Sequence, residues 1–530
     1  MIAVDYIAQE MKRRDLKLWA FGGGTICPLF DAMHRHNVEV IICRSEYGAG
    51  YAAIGAAKAT GKPQVVAVTS GPGATNLVTP IADAYYDSVP IIALTGQVNT
   101  EHLGLRNAVR QRAFQQTNII DIVNSITKTN RESISPDDLV MNFLSAFDIA
   151  ITGRHGPVLI DMPMNSQKGE CTYVLSNLLL PSVYSQPSSD QIDELIVLIS
   201  QSRKPVFLIG AGCRGAYRQI RNLVQRLGIP CVASLPAVGI VPTDDPLYFG
   251  MVGHTGHPSA NWIVQHSDLV VAWGARLDVR QTGTVVDKFA PEAKIVRVDV
   301  DKTELDNSRV RCDLAINARC EDVLGLIDKK LIGSDWYENW TVECGDKYYS
   351  MLVPDSQFAR VIGEIDEKYV GDTIFVTGVG SHQQHTARHL TLDYPTCQFV
   401  TSAGHGCMGA GLPMAIGTAL ATGRRVVLID GDGSFQMSLN ELGTWMTYYP
   451  RIDLHVHIIN NRSGGIVSQF ARLNGYDPRE TTWINPDFER IAEAYGLNVT
   501  VHNVNEEGVW PILESGAELD AMTWPEGDRL

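Results

Sequence analysis

The sequence has no surplus of positive charge, no long apolar run and no paired-cysteine motif. Its 59 acidic residues against 44 basic ones leave a net charge of −15. That argues against nucleic acid or an anionic membrane as the main partner, while a local basic pocket for a phosphate remains allowed. The longest apolar runs, such as "VVAV" and "PIIAL", are strand-sized, and none could span a bilayer. Asp5, Glu10, Lys12, Arg13 and Arg14 crowd the N-terminus with no apolar stretch before a cleavage site, so no secretory signal is expected. The ten cysteines are scattered, without CxxC or zinc-finger spacing. The expectation is reduced thiols in a cytoplasmic protein.

What is present is a chain of 530 residues with 45% hydrophobic and 19% charged content. That is enough for several globular domains. Short β-rich runs ("KLWAF", "VEVIIC", "PQVVAVTS", "PIIALTG") alternate with helical stretches ("EYGAGYAAIGAAKAT", "ATNLVTPIADAYYD"). The same grammar returns in "KPVFLIGAG", "PCVASLP", "SDLVVAWGARLD" and "KIVRVDVD", and again in "TIFVTGVG", "RRVVLIDGDG" and "LHVHIIN". Near-continuous apolar strands between helices predict parallel sheets covered on both faces. The reading is α/β, with three doubly wound domains over 1–168, 191–332 and 352–530. Lys168–Asp190 and Gly333–Asp346 are expected to be linkers.

The stretch "IDGDGSFQMSLNELGTWMTYYPRIDLHVHIINN" puts Asp432 just past one strand and Asn460 and Asn461 at the end of the next. The segment between has helical spacing, with Phe435, Leu439 and Leu442 on one side. A βαβ unit brings both ends to one sheet edge, where open parallel sheets bind ligands. A carboxylate, an amide oxygen and a backbone carbonyl are hard ligands suited to Mg²⁺ when a diphosphate supplies more oxygens. Gly431 and Gly433 let backbone amides approach phosphate. Taken singly, Asp-Gly and Asn-Asn are turns.

GDG, this spacer and NN resemble the diphosphate-binding motif of thiamine-diphosphate enzymes. "RSEYGAGYAAIGAAKATGKPQVVAVTSGPGATNLVTPIADAYYDSVPIIALTGQV" resembles that family's pyrimidine-binding domain. "GMVGHTGHPSANWIVQHSDLVVAWGARLDVRQTG" resembles its middle, flavin-type domain. "TGVGSHQQHTARHL" and "TSAGHGCMGAGLPMAIGTAL" resemble its diphosphate-binding domain. Within the superfamily the chain looks most like the acetolactate (acetohydroxyacid) synthase branch.

The resemblance implies roles. Glu46 would hydrogen-bond the pyrimidine ring; a carboxylate shielded from water shares a proton more readily. Asp432, Asn461 and the Ser463 carbonyl would hold Mg²⁺. Gly380, Ser381, His382, Gln383, Gly406, Met408, Gly431, Gly433, Ser434, Gly464 and Ile466 would bed the cofactor. Gly24, Phe114 and Gln115 would wall the reacting centre. Arg280 would take the second ketoacid's carboxylate, for which a guanidinium fork is suited, and Phe470 would shape the acceptor pocket. Gly210, Gly212, Arg276, Asp278 and Asp299 would cradle a structural FAD. Glu46 and Asp432 would come from different copies, in a homodimer or homotetramer, with a small regulatory subunit as a further partner.

The implied reaction is decarboxylation of pyruvate and transfer of the hydroxyethyl unit to a second 2-ketoacid, giving 2-acetolactate. The alternatives are a carboligase acting on a keto-sugar or aldehyde, or a flavin-coupled pyruvate oxidase. The sequence departs from the family at several places, among them Ile466 for a usual Met, Thr25 for an Ala and Val279 for an Asp. Phe470 stands for the usual tryptophan, Arg319 for an acid late in the middle domain, and the closing "ESGAELDAMTWPEGDRL" matches nothing expected there.

Overall fold

The computed structural model describes all residues except 104–108, 173–184, 329, 332–336, 352–355 and 506–530. Among the described residues the strands form three all-parallel sheets. The first contains β1 (Leu18–Ala20), β2 (Val40–Ile42), β3 (Gln64–Val68), β4 (Ile91–Gln97), β5 (Thr129–Glu132) and β6 (Val158–Pro163), ordered β2-β1-β3-β4-β6-β5. The second contains β7 (Pro205–Ile209), β8 (Cys231–Ala233), β9 (Tyr248–Met251), β10 (Leu269–Trp273), β11 (Lys294–Asp299) and β12 (Leu314–Asn317), ordered β12-β11-β10-β7-β8-β9. The third contains β13 (Thr373–Thr377), β14 (Cys397–Val400), β15 (Arg425–Gly431), β16 (Leu454–Asn460) and β17 (Thr500–Asn503), ordered β14-β13-β15-β16-β17. Central strands are buried throughout, as in β3, β4, β10 and β13. That fits sheets covered on both faces.

The strand order reverses between β1 and β3, between β7 and β10, and between β13 and β15, and the first sheet turns back once more at its β6–β5 edge. A crevice opens beyond the strand ends at each reversal. The first and third sheets are joined by two helices, Glu46–Thr60 and Gly411–Thr422, buried on nearly every face. Their backbones touch because glycine stands at the crossing. A Cβ at Gly55 would lie 2.2 Å from the Met414 carbonyl oxygen, and one at Gly417 would lie 2.0 Å from that of Ala52. Gly417→Val should therefore force the helices apart, costing at least about 1–3 kcal/mol. Thermal unfolding checks this: the midpoint should fall, and an unchanged midpoint would refute the crossing as the tie between the two sheets.

Three expectations are corrected. Gly333–Asp346 is no simple linker, since Glu338–Ser350 is a helix. Its Trp340 is buried and donates Nε1–H to the Pro205 carbonyl at 3.0 Å, which docks it on the second sheet. The helix expected over "ATNLVTPIADAYYD" is two, Pro72–Asn76 and Val78–Tyr86. The helix expected after Asp432 is also broken, into Asp432–Gln436, a 3₁₀ turn at Leu439–Glu441 and Leu442–Tyr448. The break turns Glu441 inward, where its carboxylate accepts from Ser45 Oγ at 2.8 Å and Arg44 N at 3.1 Å. The unmatched C-terminal stretch lies outside the described residues.

Candidate active site

At the β1/β3 reversal the chain presents Gly24 in the turn after β1 and Gly71–Gly73 after β3. Glu46 follows β2 as the first residue of its helix, behind Ser45, whose hydroxyl accepts from Gly48 N. The Glu46 side chain is buried, and Asn76 donates Nδ2–H to its Oε2 at 3.1 Å. Its Oε1 faces space that only glycine leaves, for a Cβ at Gly73 would sit 3.2 Å away. Gln115 packs on Gly71 from a left-handed backbone (φ +62°), unusual for a residue with a side chain. With Phe114, which is 85% exposed, it lines an open cleft of about 370 Å³. The first sheet thus brings Glu46, Gly24 and Gln115 to one edge, with Phe114 as an apolar wall.

At the β13/β15 reversal lie Gly380–Gln383 and Gly431–Ser434. Asp432 is 2% exposed, and its Oδ2 accepts from Arg462 N (2.9 Å), Trp483 Nε1 (3.1 Å) and Asn485 Nδ2 (2.5 Å). All three donors are neutral, and no described basic side chain pairs with this carboxylate. A buried charge so placed is incomplete. Asn461 lies beside it, its Oδ1 accepting from Ser463 N at 3.2 Å. The donor set of carboxylate, amide oxygen and nearby carbonyl fits a cation of the Mg²⁺ kind that also takes phosphate oxygens. Among the described residues no group of three His, Cys, Asp or Glu side chains makes a separate metal cage.

The other named residues surround this point. His382 is buried, with its ring 2.6 Å from where a Cβ at Gly431 would be, and its Nε2 lies 3.3 Å from buried Asp430. Ser381 is also buried. Gln383 turns inward and donates to Thr401 Oγ1 and the Ser402 carbonyl. Ser434 Oγ accepts from Gly409 N at 3.0 Å. The Met408 methyl lies 3.4 Å from where a Cβ at Gly433 would stand, and Gly406, two residues before Met408, takes a left-handed backbone (φ +76°). Gly464 donates N–H to the Thr481 carbonyl, and Ile466 and Phe470 follow on the Gly465–Leu473 helix, with Phe470 40% exposed. Sequence reasoning missed Trp483, Asn485 and Asn76. The Asn485-Pro486 turn inside "TTWINPDF" is the one local signal that a polar side chain there could be held inward.

At the β7/β10 reversal a cavity of about 500 Å³ opens between the three sheets. Gly212 and Gly274 make its floor, a Cβ at Gly274 falling 2.6 Å from Gly212 Cα; Gly210, whose Cβ would lie 2.0 Å from the Gly274 carbonyl oxygen, packs against this floor without lining the cavity. Arg276 pairs with Asp278 at 2.5 Å. Burial raises the pKa of Asp299, with the Asp301 backbone N–H opposing. Arg280 opens onto the cavity, but the protein around it draws its pKa down, Asp278 opposing. Arg319 also lines the cavity and is tied to Asp322 at 2.7 Å. Glycine floor, carboxylates and guanidiniums fit a nucleotide with hydroxyl and phosphate groups.

Three family models match in chain order. They are the thiamine pyrophosphate enzyme N-terminal TPP binding domain (1–123), central domain (192–327) and C-terminal TPP binding domain (378–519). The acetolactate synthase isozyme 2 large subunit of Escherichia coli (strain K12) is 33% identical over 553 residues, covering 95% of this chain and 96% of the relative. The chain belongs to the thiamine pyrophosphate enzymes, in their acetolactate synthase branch. The acetolactate synthase catalytic subunit, mitochondrial, of Saccharomyces cerevisiae (strain ATCC 204508 / S288c) is 36% identical over 93% of this chain and 75% of its own length. The acetolactate synthase large subunit of Corynebacterium glutamicum is 35% identical over 95% and 84%. As a thiamine pyrophosphate enzyme, the chain presents its three sheets in the order those models set out. Among its described residues, no helix is long and apolar enough to cross a membrane.

Proposed function

We propose that this acetolactate synthase-like enzyme decarboxylates pyruvate and transfers the two-carbon unit to a second 2-ketoacid, giving 2-acetolactate. The observation that carries the reading is Asp432: a buried carboxylate with three neutral donors and, among the described residues, no cationic partner, beside Asn461, at a sheet reversal. Bound thiamine diphosphate supplies the carbanion that makes and breaks the carbon–carbon bonds. The protein's own task is to hold, orient and shield.

Asp432, Asn461 and the Ser463 carbonyl would hold Mg²⁺, which would supply positive charge to a diphosphate. Gly380–His382, Gly406, Gly431, Gly433, Ser434, Gly464 and Ile466 shape the bed around it, and Gln383 stiffens it from behind. Met408 would pack against the cofactor. Glu46 hydrogen-bonds the pyrimidine ring and shares its proton. Gly24 leaves room for substrate, and Phe114 and Gln115 close the wall. Arg280 receives the acceptor's carboxylate in a bidentate fork. Gly212, Arg276, Asp278 and Asp299, with Gly210 packed beside them, would hold FAD in the cavity as a structural group.

Glu46 and Asp432 come from two copies of the chain, in a dimer or tetramer. Apolar side chains left open beside both halves support this: Phe114 at 85%, Phe470 at 40% and Met408 at 38% exposure. A small regulatory subunit and a cytoplasmic setting complete the reading; all ten cysteines are free.

Phe470 favours a second reading. A half-open phenyl ring leaves a wider acceptor pocket than an indole would, which suits a keto-sugar or aldehyde. NMR of the product separates the two. Pyruvate alone should give 2-acetolactate. Product only with an added aldehyde or keto-sugar would overturn the first reading, and anaerobic bleaching of bound flavin by pyruvate would point to an oxidase.

A further inference from the structure

The cavity at the β7/β10 reversal contains one cation that the roles above leave unused. Most of the basic groups on its wall are spoken for. Lys58 pairs with Asp87, Arg154 with Asp301 and Glu304, Arg276 with Asp278, and Arg319 with Asp322. Arg280 and Arg214 have no carboxylate within ion-pairing distance among the described residues, and Arg280 is assigned to the acceptor.

Arg214 sits in the 3₁₀ turn Ala211–Ala216, directly after the glycine floor. Its Nη1 donates to the Lys58 carbonyl at 3.1 Å and its Nη2 to the Pro236 carbonyl at 3.0 Å. Its guanidinium lies 5.6 Å from the Tyr394 ring centre. One side chain is thus gripped by segments from all three sheet units. Its Nε is buried without a hydrogen-bond partner among the described residues. Packing around it draws its pKa down, with Tyr394 and Asp87 opposing. Water reaches it only partly, and the group lines the cavity. A fixed, desolvated guanidinium with spare donors is costly until an anion meets it.

The position selects the anion. Arg214 lies beside Gly212, on the turn that follows a strand at a sheet reversal, which is where dinucleotide diphosphates lie. Asp299 and Glu321 line the cavity too and are acceptors for ribose hydroxyls. We propose that Arg214 clamps the diphosphate of an adenine dinucleotide in this cavity, so that the ligand cross-links the three sheet units. The proposal rests on the nucleotide reading of the cavity. It adds a residue, a ligand group and a stabilising role to it.

The test uses the full chain freed of flavin, with FAD, ADP and riboflavin as separate probes, followed by fluorescence titration or calorimetry. Arg214→Gln should weaken FAD and ADP by the same factor, about tenfold to a hundredfold, since it removes hydrogen bonds to a charged group. Riboflavin should bind the variant as it binds the parent. Arg214→Lys should recover part of the loss, keeping the charge without the fork. Equal FAD binding by parent and Arg214→Gln, or equal loss of riboflavin, would overturn the role of Arg214. If the parent bound neither FAD nor ADP, the nucleotide reading itself would fail. If Arg214→Gln did not fold, the ratio of FAD to riboflavin affinity in Arg214→Lys decides: an unchanged ratio sinks the proposal. ADP should also raise the parent's unfolding midpoint and leave that of Arg214→Gln nearly unmoved.

Discussion

Glu46→Gln should lower kcat with pyruvate by about a hundredfold to ten-thousandfold, the span that a positioned acid–base group contributes. The exchange is nearly isosteric, and the surroundings are ready for it. Asn76 donates to Oε2, and the other oxygen faces the space left by Gly73. What changes is the ability to accept and return a proton at the pyrimidine ring. Binding of thiamine diphosphate should therefore survive, because the proposed site for the diphosphate is at Asp432, far along the chain. Cofactor content after gel filtration and steady-state kcat together decide the matter. Activity within about threefold of the parent would remove Glu46 from the proton path. Loss of cofactor along with activity would recast it as a binding residue.

The three strand sets and the ligand edges were legible because both follow from local grammar. A buried parallel strand is an apolar run, and what comes after it lies at the carboxyl edge. Gly24, Glu46, Asp432 and Asn461 could be placed that way, and each stands at or beside a reversal of strand order. Juxtaposition across the chain was not legible. Gly55 and Gly417 look like small residues in apolar helices until the two helices cross. Trp483 and Asn485 are ordinary loop residues until that loop lies along Arg462–Gly464 and delivers two donors to Asp432. Arg214 reads as a polar turn residue, and only the meeting of three sheets strips away its water. The Glu338–Ser350 helix was missed for a related reason. It buries Trp340 and Cys344 among polar neighbours, too narrow a stripe to show as periodicity.

Asp432→Asn should remove most of the stabilisation that thiamine diphosphate and Mg²⁺ confer, without destabilising the chain that lacks them. In the parent the buried carboxylate meets neutral N–H groups from Arg462, Trp483 and Asn485, and no counter-charge. Asparagine keeps an oxygen for those donors and removes a negative charge that no side chain balances. The ligand-free variant should therefore unfold at the parent's temperature or slightly above it. The metal, however, loses its one carboxylate. A loss of about a hundredfold in cofactor affinity, measured at fixed Mg²⁺, is the expected scale for an altered metal shell. At a cofactor concentration about 100 times the parent's Kd, the parent gains about 2.7 kcal/mol and the variant, near its own Kd, about 0.4 kcal/mol. A purely structural Asp432 predicts the reverse pattern: a lower midpoint without ligands and an unchanged gain with them. Two melting curves per protein, with and without cofactor and Mg²⁺, separate these outcomes, because the metal role acts only on the difference between the curves.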